Sequence, residues 1–322
     1  MGYTHNSGYS AIDSGFAVGP KNHEVPVIDR YGNLINIPNN DGIVYYVDVN
    51  AGSNGNNGLS WGTAFKTLAA AITASNATIV ASPNGTGRGW AARNTIYYKG
   101  DNNEDDAETL ITLPNKCDVI GVGSYDHKPY PQLIGNHVIG AGAYMGCRFI
   151  NMGFLSPAAG GVIFTVPTTT SGLSFIGCHF DGRSTVAATK AILATAVEQL
   201  TIEGCRFIGK YSTTTIDIGT GSSRGLLIRK NLIESGAIGI TTHASMTCAD
   251  AVAMILDNVF NVVTLVIDEN SAKAVVGGNR GVTEADGTVV LTMDYNDNMA
   301  YDNIFAHSAG VSQYPVMVTI PT

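Results

Sequence analysis

Between residues 143 and 281 the chain keeps returning to one short pattern: apolar-x-apolar-x-x-Cys or Asn-x-Phe or Ile. It reads LSFIGCHF at Leu173–Phe180, LTIEGCRF at Leu200–Phe207, LLIRKNLI at Leu226–Ile233 and AMILDNVF at Ala253–Phe260. AYMGCRF (Ala143–Phe149) precedes these and AVVGGNRG (Ala274–Gly281) follows with a looser match. The Cys/Asn position falls at Cys147, Cys178, Cys205, Asn231, Asn258 and Asn279, with spacings of 31, 27, 26, 27 and 21 residues. That period is too long for a hairpin and too irregular for most helical repeats. A second apolar run lies between the motifs, near Ile163, Leu193, Ile216, Ile240 and Val266. Each repeat therefore holds two or three short strands, and stacking every repeat on the last as one coil of a solenoid accounts for both runs.

Coils stacked about 4.8 Å apart turn repeated positions into columns. Phe149, Phe180, Phe207, Ile233 and Phe260 should then form an internal stack. At the neighbouring turn, Cys147, Cys178 and Cys205 hand over to Asn231, Asn258 and Asn279. Asn there can tolerate the left-handed conformation and hydrogen-bond to the coils above and below. An unpaired buried amide costs roughly 1–3 kcal/mol, so the column must run on as Asn or give way to something less polar, such as Cys.

This coil motif, with its Asn turn column, resembles the right-handed parallel β-helix of the pectin-lyase-like superfamily. The segment VDVNAGSNGNNGLSWGTAFKTLAAAI (Val47–Ile72) is similar to the strand, loop and capping helix that open many such domains. The resemblance covers about residues 45–287 and implies an all-β, right-handed parallel β-helix (solenoid) with an N-terminal capping helix and extended terminal arms. The helix is expected over about 63–75, with Thr63 as its N-cap and Phe65, Leu68 and Ile72 on one apolar face. It would cover the open end of the solenoid, where unpaired strand edges invite other chains. Residues 1–44 read as an arm, with a small hairpin around RYGNL, and residues 288–322 as a C-terminal cap or arm. The arm resembles the leading segments of bacteriophage virion proteins, which imply docking to a capsid or tail.

Composition narrows the partners. Only 14% of the 322 residues are charged and 38 are Gly, which suits short strands and tight turns. A net charge of −8 disfavours nucleic acid, and no apolar run reaches the length of a membrane span. The N-terminus has no basic stretch followed by an apolar core, and Asn6 stands where myristoylation wants Ser or Thr, so assembly in a host cytoplasm is expected. Five cysteines (Cys117, Cys147, Cys178, Cys205 and Cys248) without a C-x-x-C pair read as reduced, mostly buried thiols. In that setting the sequons at Asn76 and Asn84 carry no meaning.

The best acid pair is Asp181 and Glu234, each just after the Phe/Ile column and two coils apart, roughly 10 Å by the coil spacing. Arg183 and Lys210, two positions further on, could hold an acidic sugar. Arg148, His179 and Arg206 each follow the Cys position and should form one outward column, either a groove for an anionic glycan or partner or a solvated face compensated by Glu203. The Asp clusters, Gly-His-Gly and Arg-x-Lys of the polygalacturonase-like branch have no counterpart: the Asp105–Asp106 pair lacks an adjoining His, and IRKN (Ile228–Asn231) is a different string. DVNAGSNGNNG has alternating oxygen ligands from Asp48 but Leu59 where a calcium loop wants Glu. The cysteine column is too extended for zinc. No metal or cofactor is expected. The sequence thus points to a structural phage virion protein (capsid decoration, fibre or tailspike component) displayed on the virion surface. It would meet other virion proteins through residues 1–44 and form a homo-oligomer, a homotrimer by the resemblance. The alternatives are a polysaccharide hydrolase or lyase and a non-catalytic adhesin for host-surface polysaccharide.

Overall fold

The computed structural model describes residues 42–80, 93–101, 107–123, 131–157, 160–182, 186–219, 224–234, 236–243, 253–262, 265–269, 274–283, 291–293 and 299–307, with the short strands Ser10–Ala11, Ala17–Val18, Val27–Ile28, Leu34–Ile35 and Tyr314–Pro315. The protein is an all-β parallel solenoid of the right-handed type. Its coils build three sheets of 10, 9 and 7 strands, and each full coil gives one strand to each sheet in turn. Every pairing between coils is parallel, except that Tyr314–Pro315 closes the second sheet antiparallel to Ile304–His307. Most of the arm lies outside the described residues; within it, Val27–Ile28 pairs antiparallel with Leu34–Ile35 on either side of the RYGNL stretch.

Register fixes the columns. In the first sheet Phe149, Phe175, Ile202, Ile228, Ile255, Val276 and Ala300 are partners on successive rungs. In the second sheet the inward column is Phe154, Phe180, Phe207, Ile233, Phe260, Gly281 and Phe305. Phe180, Phe207 and Phe260 thus share one shaft, with Phe180 and Phe207 stacked at 4.9 Å and an interplanar angle of 9°. From Phe149 and Phe154 onward the two columns are five residues apart on each rung, whereas the rung before them, Val119 and Leu133, has a longer connection and the rest of the coil varies in length.

Phe149 was expected in the second of these columns and stands in the first; Phe154 fills its place. The local string Gly-Cys-Arg-Phe misleads here. Gly146 (φ +65°) belongs to the turn that leads into the first sheet, while Gly177 and Gly204 (φ +58° and +63°) occupy the turn leaving it. Cys147 accordingly pairs with Cys117 across the first sheet, and Met152 holds the turn position in its coil. The left-handed residue of that turn is also one place earlier than the ladder: Asn151, Gly177, Gly204, Lys230, Asp257, Gly278 and Asp302 all have φ between +50° and +66°. Taking the bend there turns the next side chain inward.

The inward side chain is the ladder. Asn231, Asn258, Asn279 and, beyond the expected repeat, Asn303 are buried. Each amide oxygen accepts from the backbone N–H of the ladder residue one rung down and, where that residue is Asn, from its Nδ2, at 2.8–3.1 Å. Each Nδ2 also donates to a first-sheet carbonyl one rung down, as Asn231 does to Ile202 at 2.9 Å. The thiols of Cys178 and Cys205 donate into the same column, to the carbonyls of Phe149 and Phe175, both at 3.3 Å. Asn231 Oδ1 accepts from the Cys205 N–H at 2.8 Å and joins the two ladders. The solenoid runs on past residue 287: Met299–Tyr301 and Ile304–His307 pair in parallel with the preceding coil.

The opening helix starts later than expected. Trp61–Thr63 is a single 3-10 turn and Phe65 bridges Val47 in parallel. The α-helix α1 spans Leu68–Val80. Thr67, not Thr63, supplies its cap, accepting from the Ala70 N–H at 3.2 Å. The Glu108 carboxylate accepts from the Leu68 and Ala69 N–H groups at 3.0 and 2.6 Å, satisfying two orphan donors at the positive end of the helix. Leu68, Ala71 and Ile72 are buried with Ile96 and Tyr98 in the core.

Candidate functional site

Outward positions alternate with the inward columns, so each sheet presents its own lattice of side chains. Asp181 and Ile208 are register partners, and Glu234 follows Ile233 in the same outward column of the second sheet. The two acids therefore stand two rungs apart, as expected. Glu234 is held there: Arg206 Nε and Nη2 donate to its two carboxylate oxygens at 3.0 and 3.2 Å. Both of its oxygens are thus already engaged, so this carboxylate meets a substrate only by giving up that pair.

The expected Arg148–His179–Arg206 column separates. Arg148 lies in the first sheet, opposite Asp118 and Ser174, because its coil was misaligned by one strand. It donates twice to Asp118 at 2.6 Å, and Arg93 Nε donates to the same carboxylate at 2.7 Å. Burial pushes the Asp118 carboxyl up, but the two guanidinium groups outweigh it and hold it below its usual value. His179 and Arg206 are true neighbours in the second sheet. His179, expected to be exposed, is buried; burial and then the charge of Arg206 press its pKa down to about 3. Arg229 pairs with Glu203 at 2.8 Å, and the Arg206 expected beside Glu203 has Glu234 instead. Lys210 is exposed, its carbonyl accepting from the Ala188 N–H. Arg183, Asp105, Asp106 and Cys248 lie outside the described residues. Asp48 of the calcium-like loop accepts from the Asn50 and Ala51 N–H groups and from Lys99 Nζ, which is turn chemistry. Cys117, Cys147, Cys178 and Cys205 are free and buried, and burial pushes the Cys117 thiol up to about 12.

The third sheet holds a group that the repeat did not reveal. Asp217 sits at an outward position between Leu193 and Thr241, with Asp268 on the rung beyond, yet it is only 6% exposed. Lys190 Nζ donates to one of its oxygens, and His243 Nε2 lies 3.1 Å from the other. Thr214 and Thr241, both buried, meet through their hydroxyls at 3.4 Å beside it. The trace of this cluster in the sequence is the Asp inside the apolar run TIDI; its partners lie 27 and 26 residues away and become neighbours only through stacking. Among the described residues, no group of three or more His, Cys, Asp and Glu is placed to hold a metal ion, and no helix is long and apolar enough to cross a membrane.

No protein-family model matches the chain, and no curated protein matches it. A solved structure that is similar is the native GH136 lacto-N-biosidase from Eubacterium ramulus, at 9% identity and a TM-score of 0.22, covering 82% of this chain and 68% of that one. At that identity and score, none of that enzyme's chemistry passes to these residues.

Proposed function

We propose that this chain is a structural, surface-displayed component of a phage virion, of the decoration, fibre or spike kind, with residues 1–44 as its anchor. The reading is carried by the condition of the outward charges on the first two sheets. Arg93, Arg148, Arg206 and Arg229 are each joined to a carboxylate, most of them across a rung, and the best acid pair has one member clamped by Arg206. Such pairs stiffen a rod and leave little ready for acid–base work. On this reading α1 is the lid of the shaft, its Leu68, Ala71 and Ile72 covering the first coil at the anchored end. Particles assembled with the chain truncated before residue 45 should lack it, while the freed solenoid still folds; retention of the truncated chain on particles would sink the anchoring role.

One observation favours a second reading, a glycan-cleaving or glycan-binding face on the third sheet. Asp217 and Asp268 share a column two rungs apart, roughly 9.6 Å by the strand spacing, near the upper end of what an inverting glycosidase uses. Incubation with host-surface polysaccharide separates the readings. New reducing ends or unsaturated products that vanish in Asp217→Asn and Asp268→Asn would establish an enzyme. Retention without products would establish a binder.

A further inference from the structure

Among the described residues most ion pairs of the solenoid use Arg, whose guanidinium stays protonated and is no nucleophile. Two carboxylates are held by lysines instead, Asp48 by Lys99 and Asp217 by Lys190. The two settings differ. Asp48 is a turn carboxylate: its Oδ1 accepts from the Asn50 and Ala51 N–H groups, and the Lys99 side chain is 37% exposed. Asp217 lies on the outward side of the third sheet, yet its side chain is only 9% exposed and that of Lys190 21%. Lys190 Nζ touches Asp217 Oδ2 from the rung below. His243 Nε2 stands 3.1 Å from Oδ1 and reaches down from the rung above. An amine, a carboxyl carbon and a hydrogen-bonding group on the far oxygen are thus lined up across three successive rungs.

We propose that Lys190 and Asp217 condense into an isopeptide bond that stitches two rungs of the third sheet together. The ammonium passes a proton to Oδ2, and the freed Nζ lone pair attacks Cγ, the carbon next to the oxygen it already touches. Negative charge then gathers on Oδ1, where the Nε2–H tautomer of His243 stabilises it as an oxyanion donor does. Oδ2 leaves as water with two of the three ammonium protons, and the third stays on the amide nitrogen. One C–O bond breaks, one C–N bond forms, and no oxidant or reductant is needed. Holding the reacting atoms in contact replaces the collision that such a condensation otherwise requires. The low exposure of both side chains withholds the bulk water that would drive it backward. The bond would span 27 residues, one whole coil, so that coil could not unwind without breaking it. Like a disulfide, a link of that span also restricts the unfolded chain. The inference goes beyond the virion reading and does not depend on it. It competes with glycan cleavage on this sheet, since the bond would leave Asp217 no free carboxylate.

The test uses the full-length chain, purified folded and then denatured for mass spectrometry. Its intact mass should fall short of the sequence mass by one water. Trypsin should no longer cut after Lys190, and a branched peptide should join residues 184–206 to residues 211–224 through Lys190 and Asp217. A folded parent with the full mass and ordinary tryptic peptides would overturn the proposal, and so would a water lost elsewhere, as in cyclisation at an Asp-Gly pair. That measurement depends on no variant. Lys190→Arg keeps a cation beside Asp217 but removes the nucleophile, so it should show the full mass and melt several degrees lower than the parent. His243→Ala removes a side chain that is 41% exposed, so the coil should still fold. In chain freshly made by cell-free translation it should form the bond about 100-fold more slowly than the parent. Formation at the parental rate would overturn the role given to the imidazole.

Discussion

The early and late coils of the solenoid share one backbone and are held together differently. In the early coils the shaft is aromatic: Phe149 on Phe175 at 5.6 Å and Phe154 on Phe180 at 5.1 Å, with Phe164 edge-on to both columns. The turn between the first two sheets is closed there by Cys178 and Cys205, whose thiols are modest donors. In the late coils the first-sheet column is aliphatic, Ile228, Ile255 and Val276, while the second keeps Phe260 and Phe305, and the same turn is closed by four Asn amides bonded in series. Bulk and polarity trade places along one axis. Where stacked rings fill both columns, a weakly polar turn suffices; where one column is aliphatic and rings no longer stack on successive rungs, hydrogen bonds between rungs carry more of the cohesion. The exteriors differ in the same sense, with ion pairs on the early coils and bare apolar side chains on the late ones.

That contrast can be broken at each end. Asn258→Ala should be among the most damaging single changes, costing on the order of 3–5 kcal/mol, because it leaves the buried N–H of Asn231 and one of its two Nδ2 protons without an acceptor as well as removing its own bonds. Phe180→Ala should cost about the same, 3–5 kcal/mol, by leaving a void between Phe154 and Phe207. Denaturant melts measure both, and a loss below about 1 kcal/mol in either would refute the corresponding device. Acid should strike the early coils. His137 is fully buried, accepts from the Leu110 N–H at 3.0 Å, and burial lowers its pKa to about 3. Its neutral form contributes full stability above the unfolded value near 6.5, and that stability drains as pH falls toward 3, by up to about 1.4 kcal/mol per pH unit. His137→Asn, which keeps a short acceptor near Leu110, should show a shallower loss over the same range.

Cys205→Asn sharpens the comparison by extending the amide series one rung downward. With Phe175 O already accepting at that place, the change should be neutral to within about 1 kcal/mol. A large loss would mean that the early shaft has no room for the amide. Lys230→Gly should be the mildest change, a gain of up to about 1 kcal/mol, since Lys230 holds φ at +55°.

The repeat was legible because, from Phe149 onward, one turn is the same length on each coil and ends on a side chain that must be buried and, in the later coils, bonded. Leu173–Phe180, Leu200–Phe207, Leu226–Ile233 and Ala253–Phe260 carry that signature plainly. It failed at Cys147, where a neighbouring turn happens to spell the same four residues, and the error carried Phe149 and Arg148 into the wrong columns. It stopped too early at Asn279, because the stretch before Asn303 lacks the apolar alternation of the earlier repeats. The helix start was misplaced because Thr63 and Thr67 are equally good caps in sequence; Glu108, forty residues on, marks the true one. Asp217 stayed hidden because Lys190 and His243 reach it from the rungs on either side, and nothing local in the sequence announces such a meeting.

The constant five-residue step between the first two sheets has a use beyond cohesion. It works as a ruler: coil height is set at that corner, so length added at the other two corners need not disturb the coils above or below. Those corners already accept lengths that differ from coil to coil. A foreign peptide grafted there would be presented on a rigid shaft at a known height, and a short series of such grafts would mark out a scale along the solenoid.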